Sequence, residues 1–193
     1  MARRTVRGIE NPDAADGGFE DQAQASGTWK VYCALPGWTT VGGAGIELRN
    51  QLAGASFEGH NFVELDSYDN SAIAQTLATT AGAFYTLSFE YSAWGGVSLA
   101  SNPIDVFWNG SRLGTAALDG IGQSGNVWHQ YSFNVEGFGN DVLRFAATGT
   151  DDGVGGSLDA VSVTAVPEPS TYAIMFCGLA LVGFSLRSRR TPR

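Results

Sequence analysis

Over residues 84–92 apolar and polar side chains alternate one for one: Tyr85, Leu87, Phe89 and Tyr91 fall on one side, Thr86, Ser88, Glu90 and Ser92 on the other. A period of two cannot serve a helix, whose faces repeat every 3.6 residues; it describes a strand buried on one face. The pattern returns at 127–135, where Val127, His129, Tyr131, Phe133 and Val135 oppose Trp128, Gln130, Ser132 and Asn134. No stretch of 17–165 lays an apolar stripe of helical period over ten or more residues. Further strands are expected at 28–35, 45–48, 62–66, 71–78, 104–108, 112–117, 141–148 and 158–165. Ten short strands in a segment rich in the chain's 26 glycines suit two packed antiparallel sheets better than one open sheet. The expected fold is therefore all-β, an antiparallel jelly-roll β-sandwich over 17–165. One turn is explicit. Asn109-Gly110 separates two of these strands, and Asn-Gly is the preferred pair for a two-residue type I′ hairpin. The overlapping Asn109-Gly110-Ser111 sequon is accordingly read as a turn rather than a glycan acceptor.

Charge excludes one class of partner. Of the 11 basic residues, Arg3, Arg4 and Arg7 lie at the start and Arg187, Arg189, Arg190 and Arg193 at the end. Between them only Lys30, Arg49, Arg112 and Arg144 oppose 18 of the chain's 19 carboxylates, a field that repels a phosphate backbone. No nucleic-acid partner is expected. Cys33 and Cys177 fall in the domain and in an apolar terminal run, so no disulfide framework is expected, and no Cys/His zinc spacing occurs.

The chain ends VPEPSTYAIMFCGLALVGFSLRSRRTPR: a Pro-Glu-Pro, then residues 172–186 without a charge, then a basic cluster. Pro167 and Pro169 hold the chain extended. The run 171–186 can form a helix of about 24 Å, a single transmembrane helix slightly short for a hydrocarbon core of about 30 Å. Arg187, Arg189 and Arg190 would keep its end cytoplasmic. This tail, 166–193, resembles the PEP-CTERM sorting signal of Gram-negative bacteria in its Pro167, Glu168, Pro169 motif, apolar segment and basic end. The resemblance implies export, anchoring in the inner membrane before sorting, recognition by an exosortase, and a final place in the cell envelope or extracellular biofilm matrix. Such proteins begin with a signal peptide, whereas MARRTVRGIENPDAAD has no apolar segment behind its arginines. Residues 1–16 are therefore expected to be a disordered or non-native leader, with the true start upstream of Met1.

Within the domain, GGFED (17–21), LPGWTT (35–40), FVELDSYDNS (62–71), YTLSFEYS (85–92) and LDAVSVT (158–164) together resemble the galactose-binding-like jelly rolls of exported bacterial proteins and carbohydrate-binding modules. That resemblance implies a structural calcium ion held by Glu20 and Asp159. Asp159 shares strand parity with Val161 and Val163, which would point it inward, where a cation would offset its charge; hydrogen bonds from a neighbouring turn are the alternative. Asp151 and Asp152 read first as turn residues.

A carbohydrate ligand needs an aromatic platform among polar groups. Trp128 is the first candidate because its parity sets it beside Gln130, Ser132 and Asn134; Trp94 in the SAWGGVS loop is the second, and Trp38 reads as a core plug. Glu64 and Asp66 alternate onto one face and, with Glu90 and Asp105, are the carboxylates a glycosidase would draw on, but solvent-facing carboxylates are the default. No Gly-x-Ser-x-Gly elbow occurs. The expectation is a non-enzymatic, envelope-sorted protein binding exopolysaccharide or another glycan, the alternatives being an adhesin-like structural protein and, last, a glycoside-active enzyme.

Overall fold

The computed structural model describes residues 14–167. These hold twelve strands: β1 (Thr28–Tyr32), β2 (Ala34–Leu35), β3 (Trp38–Gly42), β4 (Ile46–Asn50), β5 (Asn61–Glu64), β6 (Ala72–Ala78), β7 (Phe84–Ser92), β8 (Ile104–Trp108), β9 (Ser111–Ala116), β10 (His129–Glu136), β11 (Asn140–Ala147) and β12 (Ser157–Ala165). A single 3-10 turn, Leu99–Ser101, interrupts them. They form two six-stranded sheets, β1-β4-β5-β12-β7-β10 and β2-β3-β6-β11-β8-β9. Every strand pair is antiparallel. From β5 onward the chain passes repeatedly between the sheets, so neighbours within a sheet are distant in sequence. This is the two-sheet sandwich expected from the alternation.

The core lies between the sheets. Tyr85, Leu87, Phe89 and Tyr91 of β7 are all buried against the facing sheet. Phe89 meets Phe145 of β11 edge-on at 5.0 Å between ring centroids, and Phe145 in turn meets Trp38 at 6.0 Å. Burying each such side chain is worth about 1.5–3 kcal/mol. The expected hairpin is present: Trp108 pairs with Ser111 across Asn109 and Gly110, whose φ values of 50° and 79° are those of a type I′ turn. The Asn109 amide is also spoken for, its Oδ1 accepting the Val142 amide at 2.8 Å and its Nδ2 donating to Asp141.

Two expectations change, and one is met from an unexpected strand. Residues 14–16, placed in the leader, are part of the domain: Ala15 exchanges two 2.8 Å hydrogen bonds with the Gln75 side chain, and the Trp38 indole donates to the Asp16 carbonyl at 3.1 Å. Trp38 plugs the core as expected, but from β3, which was not among the expected strands. In β12 the pairing slips between Asp159 and Ser162, with Ala160 at φ 48°. This bulge breaks the parity that would have turned Asp159 toward Val161 and Val163. Asp159 instead follows core-facing Leu158 and lies on the outer face, buried there under a loop. The rest of the leader, 1–13, lies outside the described residues. So do the expected membrane helix 171–186 and Glu168, Pro169, Arg187, Arg189 and Arg190. Among the described residues no helix is long and apolar enough to cross a membrane.

Candidate functional site

The outer face of the first sheet is not a plain solvated surface. Glu47 and Arg49 alternate with Ile46 and Leu48 of the core, and Phe62 and Glu64 flank core residue Val63, so these four point away from the sandwich interior. Register sets them in two cross-strand rows, Trp29–Arg49–Phe62 and Val31–Glu47–Glu64–Ser157–Ser92. Yet β4 and β5 are buried on both faces. The cover comes from loops. Trp94 lies over the Arg49 guanidinium, 4.1 Å from ring centroid to Cζ, and Trp128 meets Phe62 edge-on at 5.8 Å. The Trp128 indole and the Asn126 amide both donate to the Ala55 carbonyl at 3.0 Å, tying the 51–60 loop over the sheet.

Beside this roof opens a cleft of about 420 Å³, with Ser88, Glu90, Gln130 and Ser162 from β7, β10 and β12 and with Phe57 and Glu58 from the loop. Ser88 and Ser162 share a 3.0 Å hydroxyl contact. Burial pushes the Glu90 carboxyl above its ordinary range, opposed by His129 and a hydrogen bond from Gln130. Such a cleft offers acceptors, donors and an aromatic ring, and among the described residues none of those lining it is a Lys or Arg.

The structure therefore divides the proposed ligand trio along one face. Gln130 lines the cleft and Trp128 is half-buried next to it on the same side of β10, while Trp94 stands over Arg49, the register partner of Phe62. Sequence reasoning missed Trp29 and Tyr68. They pair at 6.3 Å between centroids and are 43% and 69% exposed, extending the aromatic line to the β1 edge. Only an edge-strand tryptophan beside a polar turn announced them.

The proposed metal pair is differently engaged. Glu20 Oε1 accepts the His60 and Asn61 amides, both at 2.7 Å. Asp159 accepts those of Phe57, Glu58 and Ala160 at 2.8, 3.2 and 2.7 Å. Both Asp159 oxygens and Glu20 Oε1 are thus occupied by amide hydrogens, the hydrogen bonds that stood as the alternative to a cation. Burial still dominates at Asp159 and pushes its carboxyl up to about 7.

The four candidate catalytic carboxylates do not share a face. Asp105 lies in the second sheet, in an ion pair with Arg112 at 2.9 Å, and burial leaves Glu64 and Asp66 fully inaccessible, contrary to the solvent-facing default. Loops 66–71 and 149–156, closing over the end of β5, account for this.

Residues 165–190 match the PEP-CTERM protein-sorting motif, so the chain carries that sorting signal. The preceding domain is 30% identical over 142 residues to a multifunctional-autoprocessing repeats-in-toxin of Vibrio cholerae serotype O1; the match covers 72% of this chain. The chain spans about 3% of the length of that relative. Among solved structures, the K1 cleaved adhesin domain of Lys-gingipain from Porphyromonas gingivalis W83 matches with a TM-score of 0.55 at 18% identity, over 78% of this chain and 96% of that one. A family 35 carbohydrate-binding module from an environmental isolate matches with a TM-score of 0.48 at 20% identity, over 73% of this chain and 97% of that one. The adhesin-domain likeness agrees with the two-sheet sandwich described above.

Proposed function

We propose that this protein is exported, sorted to the envelope by its C-terminal motif and there binds polysaccharide of the extracellular matrix, without catalysis. Exosortase is the sorting partner in this reading, and a membrane helix over 171–186 is the transient anchor. The observation that carries the ligand assignment is the outer face of the first sheet. A half-buried Trp128 adjoins a polar cleft bearing Glu90 and Gln130, and exposed Trp29 and Tyr68 continue the aromatic line. Sugar rings stack their apolar faces on such side chains while their hydroxyls exchange hydrogen bonds with serine, amide and carboxylate groups.

Affinity electrophoresis through gels containing bacterial exopolysaccharide tests this. Trp128→Ala should reduce retardation at least several-fold while costing less than the ~3–5 kcal/mol of a wholly buried aromatic, since part of the ring faces water. A large loss of stability with unchanged retardation would remove Trp128 from the site. A second reading is a structural or adhesin-like matrix protein without a small-molecule site, a role compatible with the fold shared with the K1 adhesin domain. Under it wild-type retardation by polysaccharide would be absent altogether.

A further inference from the structure

The turn that follows β5 is short of hydrogen-bond donors. Glu64 and Asp66 are each fully buried, and both carry an oxygen without a partner. Glu64 Oε1 accepts the Asp66 amide at 2.7 Å, and Oε2 has no hydrogen bond; Asp66 faces the Asp152 amide, 3.3 Å from Oδ2, and the Gly153 amide, and its Oδ1 has no hydrogen bond. Ser67 Oγ and Asn70 Oδ1, in the same turn, are buried and unpartnered too. Asp66 and Asn70 are joined by a β-bridge, so this stretch folds back on itself. Gly155 closes it: a methyl group there would stand 2.8 Å from Glu64 Oε1 and 2.9 Å from the Asp66 Cβ, so both carboxylates abut one stretch of backbone.

An orphaned buried carboxylate oxygen is costly, and none of these four oxygens in seven residues accepts a hydrogen bond; Arg49 acts on Glu64 through its charge alone. Lys30, the chain's lysine, sits over the Tyr32 ring at 5.0 Å. Arg49 is engaged by Glu47 and Trp94. Asp151 and Asp152 add negative charge beside Asp66. The unsatisfied atoms are all oxygens, two of them from carboxylates, which is the donor chemistry of a hard divalent cation. A site walled by protein oxygens suits calcium better than magnesium, which keeps most of its waters.

We propose that the Glu64–Asn70 turn, closed by the 151–155 loop, binds one calcium ion through Glu64, Asp66 and neutral oxygens of Ser67 and Asn70. Among the described residues no group of three or more His, Cys, Asp or Glu side chains gathers into a metal cluster, so the proposed set rests on the two carboxylates and the neutral oxygens alone. Bound there, the ion would hold the Glu64–Asn70 turn in its folded-back form at the end of β5.

The test is calorimetric titration of the purified, chelator-treated full chain with calcium chloride, with thermal melts in calcium and in excess chelator. The expected result is one calcium per chain and a higher melting temperature in calcium. Asp66→Asn and Asn70→Ala should each weaken calcium binding at least tenfold, while Asp159→Asn leaves it unchanged. Asn70→Ala removes a neutral oxygen from a partly exposed turn, so it keeps the test open if Asp66→Asn does not fold. No saturable binding up to millimolar calcium with identical melts would overturn the proposal and leave those oxygens to buried water. So would binding that survives Asp66→Asn and Asn70→Ala but is lost in Asp159→Asn.

Discussion

The Arg49 guanidinium is engaged by two groups: the Trp94 ring, 4.1 Å from centroid to Cζ, and the Glu47 carboxylate in an ion pair. Both charges are nearly inaccessible to solvent. Burial lowers the arginine's pKa, with Glu47 and Glu64 opposing. Such pairs add little net stability against an apolar substitute, but breaking one strands a buried charge. Arg49→Ala should therefore cost about 3–5 kcal/mol in urea unfolding, and adding Glu47→Gln should restore part of the loss. Trp94→Ala removes a cation–π contact worth about 0.5–2 kcal/mol together with its packing. Additive losses for Arg49→Ala and Glu47→Gln would show the two side chains to be uncoupled.

Asp159 gives the domain a pH dependence of definite sign. Its carboxyl is raised from 3.8 to about 7, chiefly by burial, against the amides of Glu58, Ala160 and Phe57. The folded state thus holds a proton that the unfolded chain releases. Its contribution is fully present below about pH 4, falls as pH rises toward about 7, and is flat above. One proton sets a limiting slope of about 1.4 kcal/mol per pH unit. Urea midpoints of the chelator-treated protein should fall between pH 5 and 7, and Asp159→Asn should flatten that fall. Glu64, raised to about 8 by burial and by Glu47, leaves a residual slope. Parallel pH profiles for wild type and Asp159→Asn would show that the carboxyl titrates normally.

The fold was legible because β7 and β10 carry their burial pattern locally, in strict alternation that needs no knowledge of the partner strand. Asn109-Gly110 was legible for the same reason, since a type I′ turn depends on two residues. What failed depended on distant chain. Nothing in LDAVSVT announces the Ala160 bulge, which coincides with the close approach of Gly17: the Gly17 carbonyl accepts the Val161 amide at 2.9 Å, and a methyl on Gly17 would meet the Val161 oxygen at 1.9 Å. Similarly, Arg49, Glu64 and Asp66 look half-exposed until the Trp94 ring covers the first and loops 66–71 and 149–156 close over the other two. Of the ligand candidates, strand parity correctly set Trp128 and Gln130 on one face. It could not reveal that Trp94 covers an arginine 45 residues upstream in sequence.

The junction between domain and tail fixes where the sorting signal can be removed. β12 lies between β5 and β7 inside the first sheet and pairs with β7 as far as Ala165 opposite Tyr85. Beyond it the Val166 amide still donates to the Phe84 carbonyl at 2.8 Å, whereas Pro167 has no amide hydrogen to give. A chain ending at Pro167 keeps every one of these contacts and loses the apolar segment and the arginines. With a functional signal peptide, that truncation should shift the protein from the membrane fraction to a released form, with a melting temperature within a few degrees of the parent. A truncation ending at Leu158 instead removes most of an interior strand, with Val161 and Val163 from the core, and should not fold. Release by the shorter deletion with unchanged unfolding would separate sorting from folding. Continued membrane attachment of the chain ending at Pro167 would show that something other than the matched motif holds this protein at the envelope.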